Sequence, residues 1–243
     1  MKLNYLTFGL IIILGISSCS KDDAPTEPIT KANITGSVNL YDEGTTKVDN
    51  SNMTITIEGS SPIIAATTDT NGNFTLSNVP FGTYNIRYEK TGFGTFKKFG
   101  IEHKNNATAI LNTPSIGKNA TTQITKVEAK ISGINVVLSV TTNPAGSNGN
   151  SRYVRYFLSS NANVSNENYS YFSSGLVSQI NPKEITLLNR DLINLGFSSG
   201  QTIYVRIYGD SFWSNEYEDP TLNRKIFPNL NANTTNAVSF IIP

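Results

Sequence analysis

One cysteine, one histidine and one tryptophan are spread over 243 residues, with two methionines. A lone cysteine, Cys19, excludes any intrachain disulfide, so an exported fold here is held by packing alone. A lone histidine, His103, cannot build a histidine zinc site and leaves one candidate base for a Ser-His-Asp triad. Flanked by Glu102, Lys104 and Asn105, it reads as a surface-loop residue. Charge is sparse and balanced, 19 Lys and Arg against 18 Asp and Glu, so no basic field gathers nucleic acid. No P-loop or dinucleotide fingerprint is present, and Gly92 and Gly94 mark a turn. No apolar pattern of helical period runs beyond about ten residues, and Asn, Thr and Ser are abundant, which favours strands and polar turns.

The longest apolar run, Leu6 to Ile16, is about 11 residues, short of the roughly 20 that cross a bilayer as a helix. Lys2 precedes it and Ile16-Ser17-Ser18-Cys19 ends it. This resembles the bacterial lipobox, although Ser18 stands where Gly or Ala is commoner. The resemblance implies cleavage after residue 18 and acylation of Cys19. Two or more acyl chains hold a protein to a membrane, where one does so only marginally. Ser20-Lys21-Asp22-Asp23 resembles the surface-export signal of Bacteroidota lipoproteins, with a solvated spacer as the plain alternative. Residues 1–18 are thus expected as signal peptide and 19–31 as a lipidated flexible tether. Removing 1–18 takes away one lysine and no acid, leaving 18 charges of each sign.

Residues 32–113 alternate as strands do. Ile34, Val38 and Leu40 open the segment, and Met53, Ile55 and Ile57 alternate with polar residues. Asn71-Gly72 is a hairpin signal in which both central residues take positive φ. A second turn is expected around Pro80-Phe81-Gly82, followed by Tyr84, Ile86 and Tyr88 on one face. The run from Thr68 to Phe93, TDTNGNFTLSNVPFGTYNIRYEKTGF, with Gly36-x-Val38 and Ile55-x-Ile57 before it, resembles the carboxypeptidase regulatory-like domain. The resemblance implies a transthyretin-like seven-stranded sandwich and a non-catalytic accessory role. Asp69, Asn71 and Asn73 are read as turn formers; an EF-hand would need an acid where Pro80 stands.

Thr113–Lys118 is a short boundary, so the modules are expected to touch. In residues 120–243, strands are expected at 122–131, 135–142, 152–159, 183–188, 201–208 and 237–242. Gly200–Gly209 and Arg152–Ser159 resemble the sixth and third strands of the fibronectin type III or immunoglobulin-like superfamily, whose usual strand tryptophan is missing. The resemblance implies a second β-sandwich, so the expected fold class is all-β with two consecutive sandwiches.

Asp210 to Asp219 (DSFWSNEYED) interleaves three aromatics with four carboxylates in the position of an end loop. Aromatic faces stack on sugar rings and carboxylates accept from sugar hydroxyls, so Phe212, Trp213, Tyr217, Glu216 and Asp219 are the candidate ligand-binding residues. The same acids suit a calcium ion, and the plain alternative is that Trp213 and Tyr217 pack against the sandwich edge or the first module. Tyr169-Ser170-Tyr171-Phe172 reads as a short edge strand used in core packing, with a partner contact through exposed rings as the alternative. No catalytic residue, metal ligand or cofactor is assigned. The expected protein is a non-enzymatic, lipid-anchored outer-membrane protein exposed at the cell surface, an accessory or scaffold of an uptake or adhesion complex. A direct polysaccharide binder is the second reading and a hydrolase the third. The partners expected are the membrane, an outer-membrane complex or a polysaccharide, and not nucleic acid.

Overall fold

A computed structural model describes residues 30–243. The expected signal peptide, the acylation site at Cys19, the export motif and the tether up to residue 29 lie outside the described residues. What is described is all-β, with one six-residue helix.

The first module runs through β1 (Lys31–Ser37), β2 (Asn39–Tyr41), β3 (Thr54–Ile57), β4 (Ala65–Thr67), β5 (Asn73–Pro80), β6 (Gly82–Glu89), β7 (Phe96–His103), β8 (Thr108–Ala109) and β9 (Ser115–Gly117). One sheet has the order β5-β1-β8 and the facing sheet β4-β3-β6-β7. Ile34, Phe74, Leu76 and Val79 from the first meet Ile55, Ile57, Ile86 and Tyr88 from the second in a dry core. Each such side chain contributes roughly 1.5–3 kcal/mol by leaving water. Leu76 and Val79 are three apart, which should place them on opposite faces. A register shift against β1, with Asn78 at φ 54°, lets both point inward.

The Asn-Gly signal marks a turn of a different kind from the one expected. Only Gly72 has positive φ, at 86°, and β4 and β5 belong to different sheets. The Asp69 carbonyl accepts from the Gly72 N–H and its carboxylate from the Asn73 N–H, so the turn carries the chain across the sandwich. A side chain at residue 72 would meet the Val38 carbonyl oxygen at 2.0 Å, which requires glycine there. His103 is not on a surface loop. It has no exposure, its Nε2 donates to the Val79 carbonyl at 3.2 Å, and its Nδ1 lies 2.7 Å from Thr108 Oγ1. Alternation along β7 turns it inward, where it joins the two sheets, while its polar neighbours face water.

The second module comprises β10 (Gln123–Ser132), β11 (Asn135–Asn143), β12 (Arg152–Ser159), β13 (Tyr171–Phe172), β14 (Leu176–Ser178), β15 (Lys183–Leu187), α1 (Asn189–Asn194), β16 (Thr202–Asp210), β17 (Tyr217–Asp219), β18 (Arg224–Ile226) and β19 (Val238–Ile241). The six expected strands stand within two residues of their expected ends. A sheet ordered β10-β11-β15 faces one ordered β13-β12-β16-β19, with β14 also on β12. Val136, Leu138, Val140, Ile185 and Leu187 meet Val154, Leu158, Ile203, Val205 and Ile207 between them.

The second sheet is covered on its outer side as well. Phe157, Val164, Tyr208 and Phe227 form a separate buried cluster there, with Tyr169 and Phe172 against it. The excursion between β16 and β19, which carries the β17–β18 hairpin, therefore packs over the sheet instead of standing free. Tyr171 and Phe172 form the edge strand expected of them. Part of the stretch expected to separate the modules is itself strand: Ser115–Gly117 pairs in parallel with Asn39–Tyr41, and Ile116 is fully buried.

Candidate functional site

The excursion after Asp210 meets the first module through two asparagines. Asn215 Oδ1 accepts from the Gly117 N–H at 2.9 Å, and its Nδ2 donates to the Gly117 carbonyl at 3.1 Å. Asn229, with no exposure, donates through Nδ2 to the carbonyls of Gly117 at 3.0 Å and Trp213 at 2.9 Å. Its Oδ1 accepts from the Gly94 N–H at 3.2 Å. A primary amide has two donors and an acceptor with two lone pairs, so it can satisfy several buried backbone groups at once. Glu43 adds a second tie, accepting from the N–H and hydroxyl of Thr121 at 2.9 and 2.6 Å, while its carbonyl accepts from the Phe212 N–H at 2.9 Å.

Four rings cross the junction in file. Tyr41 and Trp213 are 5.0 Å apart, Trp213 and Phe212 5.1 Å, and Phe212 and Tyr153 5.7 Å between centroids. These are separations at which aromatic edges and faces attract.

This geometry divides the five residues proposed from sequence. Phe212 is 46% exposed and lines a cavity of about 260 Å³ with Tyr153, Ser174, Ser214 and Glu216. Trp213 is half-buried against Tyr41, its indole N–H buried without a partner among the described residues. Tyr217 packs on Phe96 and Phe99 of the first module, 6.0 Å from each. The buried Asp219 accepts from the N–H groups of Thr221 at 2.9 Å and Leu222 at 3.1 Å, closing the β17–β18 turn. Phe212 and Glu216 thus share one cavity; Trp213, Tyr217 and Asp219 serve contacts elsewhere. Cys19 lies outside the described residues.

Arg155, 2% exposed, is part of the cavity lining. It pairs with Asp210 at 2.7 Å and Glu216 at 2.8 Å, donates to the Ser173 carbonyl at 2.7 Å, and lies over the Phe227 ring at 4.9 Å. Burial raises the Asp210 carboxyl, against the pull of Arg155 and the Ser211 N–H. Burial also works to raise Glu216, but Arg155 and Lys225 outweigh it and hold that carboxyl below its ordinary value. A buried cation with its pairs complete is a scaffold for the cavity wall.

A second hollow, of about 500 Å³, is also lined by Tyr153. Asp42, Glu43 and Lys118 approach it from the first module's side, Arg152 and Tyr153 from the second. Tyr153, Asp42 and Arg152 were not anticipated from sequence. The legible trace is the charged-aromatic alternation of Arg152-Tyr153-Val154-Arg155-Tyr156, which breaks the pattern of a simple half-buried strand. Burial, with Asp42 beside it, pushes the Tyr153 hydroxyl above the ordinary phenol range.

No curated protein matches the chain. Among solved structures, a candidate carbohydrate-binding protein from Bacteroides uniformis is similar at 13% identity and a TM-score of 0.32, over 87% of this chain and 99% of that one. A DUF3823 family protein from Bacteroides ovatus shows 14% identity and a TM-score of 0.30, over 88% and 100%. A DUF3823 family protein from Parabacteroides merdae shows 12% identity and a TM-score of 0.26, over 74% and 90%. At such scores nothing about this chain's ligand follows. Residues 33–114, the sandwich of the first module, match the family model of the carboxypeptidase regulatory-like domain.

Proposed function

We propose that the chain is a lipid-anchored protein of the outer cell surface that works without catalysis, as an accessory or scaffolding part of an outer-membrane uptake or adhesion complex. One observation carries the reading of the body: two buried asparagines join the sandwiches, so a tether would hold out a single two-module unit. The anchor rests on Cys19 following Ile16-Ser17-Ser18. A three-stranded sheet facing a five-stranded one in residues 123–241 supports a fibronectin type III-like second module. His103 is engaged on both nitrogens inside the core, and Asp210, Glu216 and Asp219 are held in ion pairs or turns, which leaves poor material for acid–base chemistry.

Mass spectrometry of the native protein tests the anchor. The account expects a mature chain starting at an acylated Cys19, and a Cys19→Ala variant that is released or left uncleaved. An unmodified chain starting elsewhere overturns it.

A second reading, direct glycan binding, is favoured by a specific feature: Phe212 presents an exposed ring beside Tyr153 and Glu216 in one cavity. Affinity electrophoresis in polysaccharide gels tests it. Retardation that disappears in Phe212→Ala supports this reading; migration unaffected by every polysaccharide removes it.

A further inference from the structure

The two hollows share one lining residue. Tyr153 lines both, the larger about 500 Å³ and the smaller about 260 Å³. Ligand pockets run from about 300 to 1,000 Å³, so the larger hollow alone is of ligand size and the smaller one would add a subsite. We infer that this cleft is a composite site for a neutral oligosaccharide, walled by both modules and complete only when they are docked. The inference rests on the glycan reading of Phe212 and extends it to residues of the first module.

Four observations support that ligand class. First, the formal charges on the larger wall cancel: Asp42 and Glu43 stand against Lys118 and Arg152. A net field of either sign would select an ion, whereas balanced charges favour a neutral ligand rich in hydroxyls. Second, the groups still free to bond come in both kinds. Asp42 Oδ1 accepts from the N–H groups of Gly44 at 2.8 Å and Thr46 at 3.1 Å, leaving Oδ2 as an acceptor. Arg152 lines the same wall and brings guanidinium donors. A carboxylate oxygen accepts from sugar hydroxyls and a guanidinium donates to them. Third, the Phe212 ring and the Tyr153 ring meet edge to face at 5.7 Å, giving a pyranose an apolar face to cover. Fourth, the module boundary runs through the site: a Cβ on Gly44 of the first module would lie 3.5 Å from the Tyr153 hydroxyl of the second.

A ligand that touches both walls binds the docked form alone, so binding and docking reinforce one another. The test is calorimetric titration of the soluble body, residues 20–243, with neutral tetra- to hexasaccharides of glucose, mannose and xylose, and with oligogalacturonate as an acidic control. Variants are Phe212→Ala, Asp42→Asn (which keeps the Oδ1 acceptor) and Arg152→Gln. Saturable binding of a neutral oligosaccharide, weakened roughly tenfold by each variant, supports the composite site. Weakening by Phe212→Ala alone overturns the two-module site and leaves the Phe212 platform standing. Preference for oligogalacturonate overturns the neutral class. Binding of no saccharide at all removes the glycan reading and this inference together. Thermal unfolding of each variant, matching the parent, separates lost contacts from lost fold.

Discussion

The amide of Asn215 donates to the amide oxygen of Asn229 at 3.0 Å, and both side chains also donate to the Gly117 carbonyl. Two residues of the second module thus close around one residue of the first, 98 and 112 residues distant in sequence. Buried amides of this kind are stabilising while every group is satisfied and costly when one is removed.

Asn229→Ala should therefore be severe. It strands the Trp213 carbonyl and the Gly94 N–H in a site shut off from water, and leaves the Gly117 carbonyl with Asn215 alone. We expect a loss on the order of 3 kcal/mol, read in urea unfolding of the whole body. A loss below about 0.5 kcal/mol, the level of an ordinary surface change, would contradict the clamp.

Gly94 tests the same junction sterically. Its φ lies outside the left-handed region, so alanine is acceptable to the backbone, but its Cβ would meet Asn229 Oδ1 at 2.5 Å and the Pro228 carbonyl carbon at 2.6 Å. Gly94→Ala should cost about 1–3 kcal/mol, in the range of overpacking. Gly149→Ala, with open space around its Cβ, is the matched control and should change stability little.

Tyr88 offers a change in the other direction. Its ring is fully buried between Phe74 at 5.9 Å and Phe96 at 5.6 Å, and its hydroxyl has no partner among the described residues. Burial pushes that hydroxyl well above the ordinary phenol range. Tyr88→Phe keeps the ring and removes the orphan, so we expect a gain of about 1 kcal/mol, or roughly 2–4 °C in melting temperature. A lower melting temperature would mean that the hydroxyl is bonded after all.

Acid sensitivity separates Glu216 from Asp210. Glu216 is held below its ordinary 4.5, so it stabilises the fold above that pH and loses the contribution as the pH falls through its folded value. Asp210 acts in the opposite sense: burial raises its carboxyl, and acid relieves a buried charge. The stability gap between the parent and Glu216→Gln should be constant above about pH 5 and shrink below about pH 4.5. A gap that widens on acidification reverses the assignment.

How far the sequence was legible follows from physical pattern. Strands with one dry face announce themselves, as in Met53-x-Ile55-x-Ile57 and in Asn135–Asn143, because burial repeats every second residue. β12 was expected as a strand, but not its burial on both faces: Val154 and Leu158 face one core while Arg155 and Phe157 are buried on the other side. The junction was illegible for another reason. Asn215 and Asn229 look like any loop asparagines, and no local period links them to Gly117. Asp210–Asp219 was recognised by its unusual composition, but composition does not say which rings face water. Phe212 does; Trp213 and Tyr217 face the first module.

The lone tryptophan sits where the modules join, which makes its emission a direct report of docking. The decisive measurement is urea unfolding of the body followed by Trp213 fluorescence and far-ultraviolet circular dichroism on the same samples. The account predicts that the two curves coincide in one transition. A red shift of Trp213 emission at lower urea, with the strand signal intact, would show that the modules part before they unfold and would contradict it.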